Sequence, residues 1–212
     1  MNEKFFDLKK EKQDRMINAA LKVFALNGYR HASTDDIVRE AAISKGLLFH
    51  YFENKLGVYA FVYDYSVRYL LLELSTAVDA KETDLFTLMQ QVETGKMHAM
   101  CGYPYLQPFL NRAQAENVNE ALVAVEERKQ QMEEAYENIY ARADLGKYAA
   151  AEDAVKLRKM MELTIKGLMN ERILEDAFQP EMLYEEILEY LQLSRRLAER
   201  SGQPSDEEIT EK

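Results

Sequence analysis

Cysteine, proline and glycine are all scarce in this chain, and each scarcity removes a class of structure. A single cysteine, Cys101, excludes an internal disulfide, so nothing calls for an oxidising compartment. Four prolines and eight glycines in 212 residues leave long stretches without a breaker. Apolar residues recur three and four apart through those stretches, which predicts a chain made almost wholly of helices. No stretch alternates convincingly as a strand. No apolar run approaches the ~18 residues of a membrane span, and the opening Met1-Asn2-Glu3-Lys4-Phe5-Phe6 lacks the apolar core of a signal peptide. A cytoplasmic protein without membrane contact is the expectation. Enzyme signatures are missing too: there is no phosphate loop, no zinc-ligand histidine pair and no nucleophile motif. His98 and Cys101 stand three apart as a soft metal pair would, but no further ligands follow nearby, so neither metal nor cofactor is expected.

What is present is apolar material and acid. Hydrophobic residues make up 47% and charged residues 30%, enough to bury a sizeable core. The net charge of −10 argues against a nucleic-acid partner until it is divided by position. Residues 1 to 60 hold ten Lys/Arg against eight Asp/Glu, an excess of two, and the remainder carries −12. Phosphate binding needs a local basic surface rather than a basic whole, so the asymmetry allows a nucleic-acid head on an acidic body.

Along the chain, Met16, Ile17, Ala20, Leu21 and Phe24 place one stripe on a helix from about Lys9 to Leu26, which Asn27-Gly28 stops. Ser33 then caps a two-turn helix with Ile37, Val38 and Ala41 inward, and Ser44 caps another from Lys45 to Phe52 with Leu48 and Phe52 buried. Longer helices are expected at Leu56 to Val78, Asp84 to Met100, Val118 to Arg142, Ala149 to Asp176 and Pro180 to Arg200. Pro104 and Pro108 predict a turn and a short or kinked helix between the second and third of these. The fold class is therefore all-α: an N-terminal three-helix helix-turn-helix domain over residues 1–55, a larger helical domain over 56–200, and a charged tail at 201–212.

The elements Ala19-Ala20-Leu21, Phe24, Gly28-Tyr29, Ser33-Thr34, Ile43-Ser44-Lys45-Gly46, Phe49-His50-Tyr51-Phe52 and Asn54-Lys55 occur in order and spacing. Over about the first sixty residues the chain resembles the TetR family of bacterial transcriptional regulators. That resemblance implies a regulator, most often a repressor, that binds a near-palindromic double-stranded operator as a homodimer and leaves it on binding a small molecule. It also implies that Thr34 and Lys55 clamp the DNA backbone on either side of the groove. From the residues themselves, Ser44 opens a recognition helix whose free N–H groups and positive end face phosphate or base edges. Lys45 supplies charge and Gly46 permits close approach. Leu47, Phe49, His50 and Tyr51 complete the expected exposed set, with Tyr51 or His50 donating to phosphate and Leu47 or Phe49 touching a thymine methyl. For Ser33 and Ser44, capping alone would explain the residue type. Lys4, Lys9, Lys10 and Lys12 form a basic arm or a solvated helix face.

The body carries aromatic and thioether residues suited to an adaptable pocket for an apolar or aromatic effector: Phe61, Tyr65, Met89, Met97 and Met100. Tyr103, Tyr105, Phe109, Tyr136 and Met161 complete the set, although such residues at helical spacing are more often core. Glu93 or Glu134 would favour a cationic ligand if turned inward. Leu157, Met160, Met161, Thr164, Ile165 and Leu168, with Leu183, Ile187, Tyr190 and Leu191, mark the last two helices as the pair that resembles the family's four-helix dimer interface. The alternative reading is a helical protein–protein adaptor without DNA binding.

Overall fold

The computed structural model describes residues 3–147, 151–174 and 178–200. Among these, α1 (Lys10–His31), α2 (Thr34–Glu40) and α3 (Lys45–Phe52) form the head. They lead into α4 (Lys55–Ala77), α5 (Leu85–Gly102), α6 (Leu106–Gln114), α7 (Asn119–Tyr140), α8 (Ala151–Arg172) and α9 (Pro180–Arg200). The expected limits of the eighth helix, Ala149 and Asp176, and the tail at 201–212 lie outside the described residues. A 3-10 turn at Glu3–Asp7, absent from the sequence expectation, precedes α1 and is tied to it. The Gln13 amide donates to the carbonyls of Phe6 and Leu8 at 3.1 and 2.7 Å.

Side-chain caps decide where most of the early helices begin. Ser33 Oγ accepts from Asp35 N, Ser44 Oγ from Leu47 N, Asn54 Oδ1 from Gly57 N and Asp84 Oδ1 from Thr87 N. Each cap pairs one of the N–H groups that a helix start leaves without a partner, a contribution of about 1 kcal/mol. The first helix runs past its expected end at Leu26. Gly28, at φ +66° and ψ 175°, breaks the helical path, and one further turn carries the chain to His31. That backbone region is closed to residues with a Cβ.

One core cluster runs unbroken from Phe5 through α1 and α4 to Met132, so head and body share it. Phe24, fully buried, lies 5.1 Å from the Tyr59 ring and 6.1 Å from the Phe109 ring, bringing α1, α4 and α6 together. A second cluster joins α5 to α8 and α9 through Leu85, Met89, Met161, Ile165, Leu183 and Ile187.

Polar contacts hold both ends of α1 to the body. At its start, Tyr103 Oη donates to Asp14 at 2.5 Å, Lys10 Nζ reaches Asp14 at 2.6 Å, and the Tyr65 and Tyr103 hydroxyls lie 2.6 Å apart. At its end, Tyr29 N donates to Glu116 at 2.9 Å and Tyr29 Oη donates to Glu120 at 2.6 Å. Burial raises the Glu116 pKa, but the N–H groups of Asn117, Tyr29 and Val118, with Arg112 nearby, outweigh it and hold the carboxyl below its ordinary 4.5. A carboxylate depressed in this way stabilises the fold above its unfolded value and loses that contribution as pH falls through the folded one. Glu116→Gln is therefore expected to be less stable than the parent chain at neutral pH, with the gap closing below pH 4.5. Urea unfolding of both proteins across that range measures it, and a gap independent of pH would show that the carboxylate charge contributes nothing.

Candidate nucleic-acid interface

The α3 helix is amphipathic in a way that separates packing from presentation. Leu48, Tyr51 and Phe52 are buried in the core cluster, where α3 packs on α2, α4 and the N-terminal 3-10 turn, while Ser44, Lys45, Gly46 and His50 are exposed. Leu47 and Phe49 are half-buried, and Leu47 packs on the core. Gly46 has helical geometry and no protein atom within 4 Å of where a Cβ would stand, so nothing inside the chain demands a glycine there. It leaves the helix backbone open at the tip next to Lys45. Ser33 and Thr34, both half-buried, stand at the start of α2.

Two of the expected contact residues have other tasks. Tyr51 was expected on the exposed face, yet it is only 7% exposed: its ring meets Phe5 edge-on at 5.7 Å and the His50 ring at 5.0 Å. The reason is Phe5, whose fully buried ring also contacts Phe52 at 5.2 Å and Phe61 at 5.1 Å. The N-terminal turn thus closes over the base of α3, and only the apolar pair Phe5-Phe6 in a polar opening signals it in the sequence. Lys55 is turned inward: Nζ donates to the carbonyls of Tyr29 at 2.9 Å, Ala32 at 3.3 Å and Arg30 at 3.4 Å, and lies 4.4 Å from the Tyr29 ring centre. It serves as a cationic cap on the end of α1, where partial negative charge gathers.

A further residue that the sequence reasoning passed over sets the angle of α3. A Cβ on Gly57 would stand 2.0 Å from the Phe52 carbonyl oxygen, so the end of α3 rests directly on the first turn of α4. Glu53, at φ +65°, makes the tight turn between the two helices.

Residues 16–60 match the model of the bacterial regulatory proteins of the tetR family. Over that stretch, about a fifth of its length, the chain is similar to the tetR family. It is 36% identical over 78 residues to an HTH-type transcriptional regulator of Bacillus subtilis, YuxN, covering 35% of this chain and 26% of that one. It is 41% identical over 49 residues to TtgW of Pseudomonas putida, also an HTH-type transcriptional regulator, covering 23% and 37% respectively. The chain thus spans between a quarter and two fifths of the curated relatives it matches. A solved TetR-family regulator from Chloroflexus aurantiacus shares the fold over 94% of this chain and 93% of its own, with a TM-score of 0.57 and 23% identity.

Outside the TetR-type head, the residues expected to line an effector pocket are dispersed. Phe61 belongs to the aromatic packing around Phe5, and Phe109 to the seam with Phe24. Tyr65 and Tyr103 are joined by their hydroxyls. Met89, Met100 and Met161 are buried in the second core cluster. Met97 is half-buried beside Cys101, and Tyr105 borders a cleft of about 520 Å3 between α1, α2 and the α5–α6 turn. Tyr136 is half-buried, and its hydroxyl is enclosed without a hydrogen-bond partner. Glu93 does point inward, at 5% exposure, but Lys96 meets it at 2.7 Å, so the counter-cation comes from the chain itself; Glu134 is exposed.

The inward Lys55 separates two roles that one mutation would otherwise confuse. Replacing it by Met should cost about 1–3 kcal/mol of stability without DNA, because carbonyls lose their donor. A melting curve unchanged from the parent, together with a DNA salt slope reduced by about one, would instead assign Lys55 to phosphate.

Proposed function

We propose that this chain is a DNA-binding transcriptional regulator rather than an enzyme, acting as a homodimer on a near-palindromic operator and released by a small-molecule effector. The observation that carries the reading is the exposed start of α3, where Ser44, Lys45, Gly46 and His50 face outward and Gly46 has no reason internal to the protein. A helix start offers N–H donors and positive dipole charge, and the absent side chain lets that backbone approach phosphate or a base edge. Phe49 and Leu47 supply apolar edges beside it.

The dimer reading rests on α8 and α9. Met161, Ile165, Leu183, Ile187 and Leu191, expected on the interface, are spent inside the chain. The opposite faces carry exposed Met160 and Leu163 on α8, with Leu174 just beyond its end, and Met182, Tyr190, Leu193 and Leu197 on α9. Large apolar side chains gathered on two adjacent helices suit a second copy of the same surface. For the effector, the supporting feature is a cavity of about 230 Å3 between α5, α7 and α8, bordered by Leu85, Tyr140, Ala154 and Arg158.

The test combines both claims. The full chain is expected to elute as a dimer and to bind a duplex recovered by selection from random sequence, with affinity that falls steeply as salt rises. Leu163→Glu/Leu193→Glu should be monomeric and bind that duplex at least tenfold more weakly, since one head holds one half-site. A folded chain that selects no sequence and shows no salt-sensitive binding would favour the adaptor reading.

A further inference from the structure

The helix-turn-helix is electrically odd. Residues 33 to 52 contain Asp35, Asp36 and Glu40 against only Arg39 and Lys45, so the unit that would meet DNA is itself slightly acidic. All three acids lie on α2, and each holds a cation of the head: Asp35 meets Lys45 at 2.8 Å, Asp36 meets Arg39 at 2.5 Å, and Glu40 meets Lys22 at 2.6 Å. The first of these pairs differs from the others because Lys45 is the only Lys or Arg of α3. The pair is not buried, with side chains 51% and 67% exposed, so it is open to exchange with solution anions.

We propose that Asp35 restrains sequence-independent DNA binding by occupying Lys45, the one permanent cation of the recognition helix. The inference rests on the DNA-binding reading above. Binding to arbitrary sequence draws almost entirely on phosphate neutralisation and counterion release. A lysine already paired to a carboxylate releases no DNA counterion until that carboxylate is displaced. Exposed pairs of this kind are worth ~0.2–1 kcal/mol, so displacement lowers phosphate affinity by up to about fivefold. Contacts from the Ser44 N–H end, Gly46, Phe49 and His50 to a matched site do not depend on Lys45 and are untouched by the pair. The cap hydrogen bond itself is accepted by Ser33 from Asp35 N, and the charge of Asp35 also suits the first turn of α2, which is why the test compares Asp35→Asn with and without Lys45.

The experiment measures binding of the full chain to a fluorescent random-sequence duplex, across a range of NaCl concentrations, for the parent protein, Asp35→Asn, Lys45→Met and the double variant. Asp35→Asn is expected to bind two- to fivefold more tightly with a salt slope steeper by up to about 0.9. In the Lys45→Met background the same change should do nothing. Equal tightening in both backgrounds would overturn the proposal in favour of a general charge effect, and no tightening in either would overturn it outright. Circular dichroism melts check that each variant folds, and Asp35→Ser carries the same test should the asparagine variant melt early. If the parent chain binds no duplex, random or selected, the DNA-binding reading falls and this inference with it; a parent that binds while Asp35→Asn gains nothing removes this inference alone.

Discussion

Phe24 is buried among Tyr29, Tyr59 and Phe109, and through that contact α1 is shared between head and body. The arrangement constrains everything around it. The helix that supports α2 on one side packs on α6 on the other, and its two ends are fixed to the body by Asp14 with Tyr103 and by Tyr29 with Glu116. Close-packed aromatic contacts leave little room for continuous deformation, so this seam holds α1 and α6 in one arrangement. Lys55 binds the end of α1 to the start of α4, and Gly57 lets α3 rest on that same turn. The orientation of α3 is thereby tied to elements of the body.

Much of the fold was legible in the sequence because its signals are local. Ser33, Ser44 and Gly28 act on backbone groups within three residues of themselves, and each does in the structure what its residue type requires. The fates of Tyr51 and Lys55 are decided by residues far along the chain. Tyr51 turns inward because Phe5, 46 positions earlier, supplies a ring to pack on, and Lys55 because Tyr29, Arg30 and Ala32 end a helix beside it. A helical wheel identifies which face a residue occupies, not whether a distant segment will cover that face. The family resemblance had the same limit, since it implied a role for Lys55 without showing where its ammonium goes.

The same limit explains the dimer and effector residues. Met160 and Met161 are neighbours, yet Met161 is 4% exposed and Met160 is 61% exposed. Both α8 and α9 are apolar on more than one face, so periodicity could not say which face meets the rest of the chain and which is left exposed. The effector set is scattered for a related reason. Phe61, Phe109 and Met89 have the residue types that line pockets, and the same types fill cores; burial without a shared cavity places them in the second group.

Electrostatics gives the head its remaining character. Lys10, Lys22, Arg39 and Lys45 each face a carboxylate of the head, and Lys55 faces carbonyls, so half of the ten cations in the first sixty residues are engaged within the head, whose net excess is only two. A surface with so small an excess offers little bulk attraction to DNA phosphate. On the proposed reading its attraction comes from directed groups: the N–H start of α3 and the bare backbone at Gly46, with Lys45 available once it leaves Asp35. Such groups act over a few ångströms, and their value depends on the angle at which α3 is presented. On the proposed reading the head binds DNA by geometry rather than by charge, and the aromatic seam at Phe24 is one of the contacts that fix how α1, and with it the head, sits on the body.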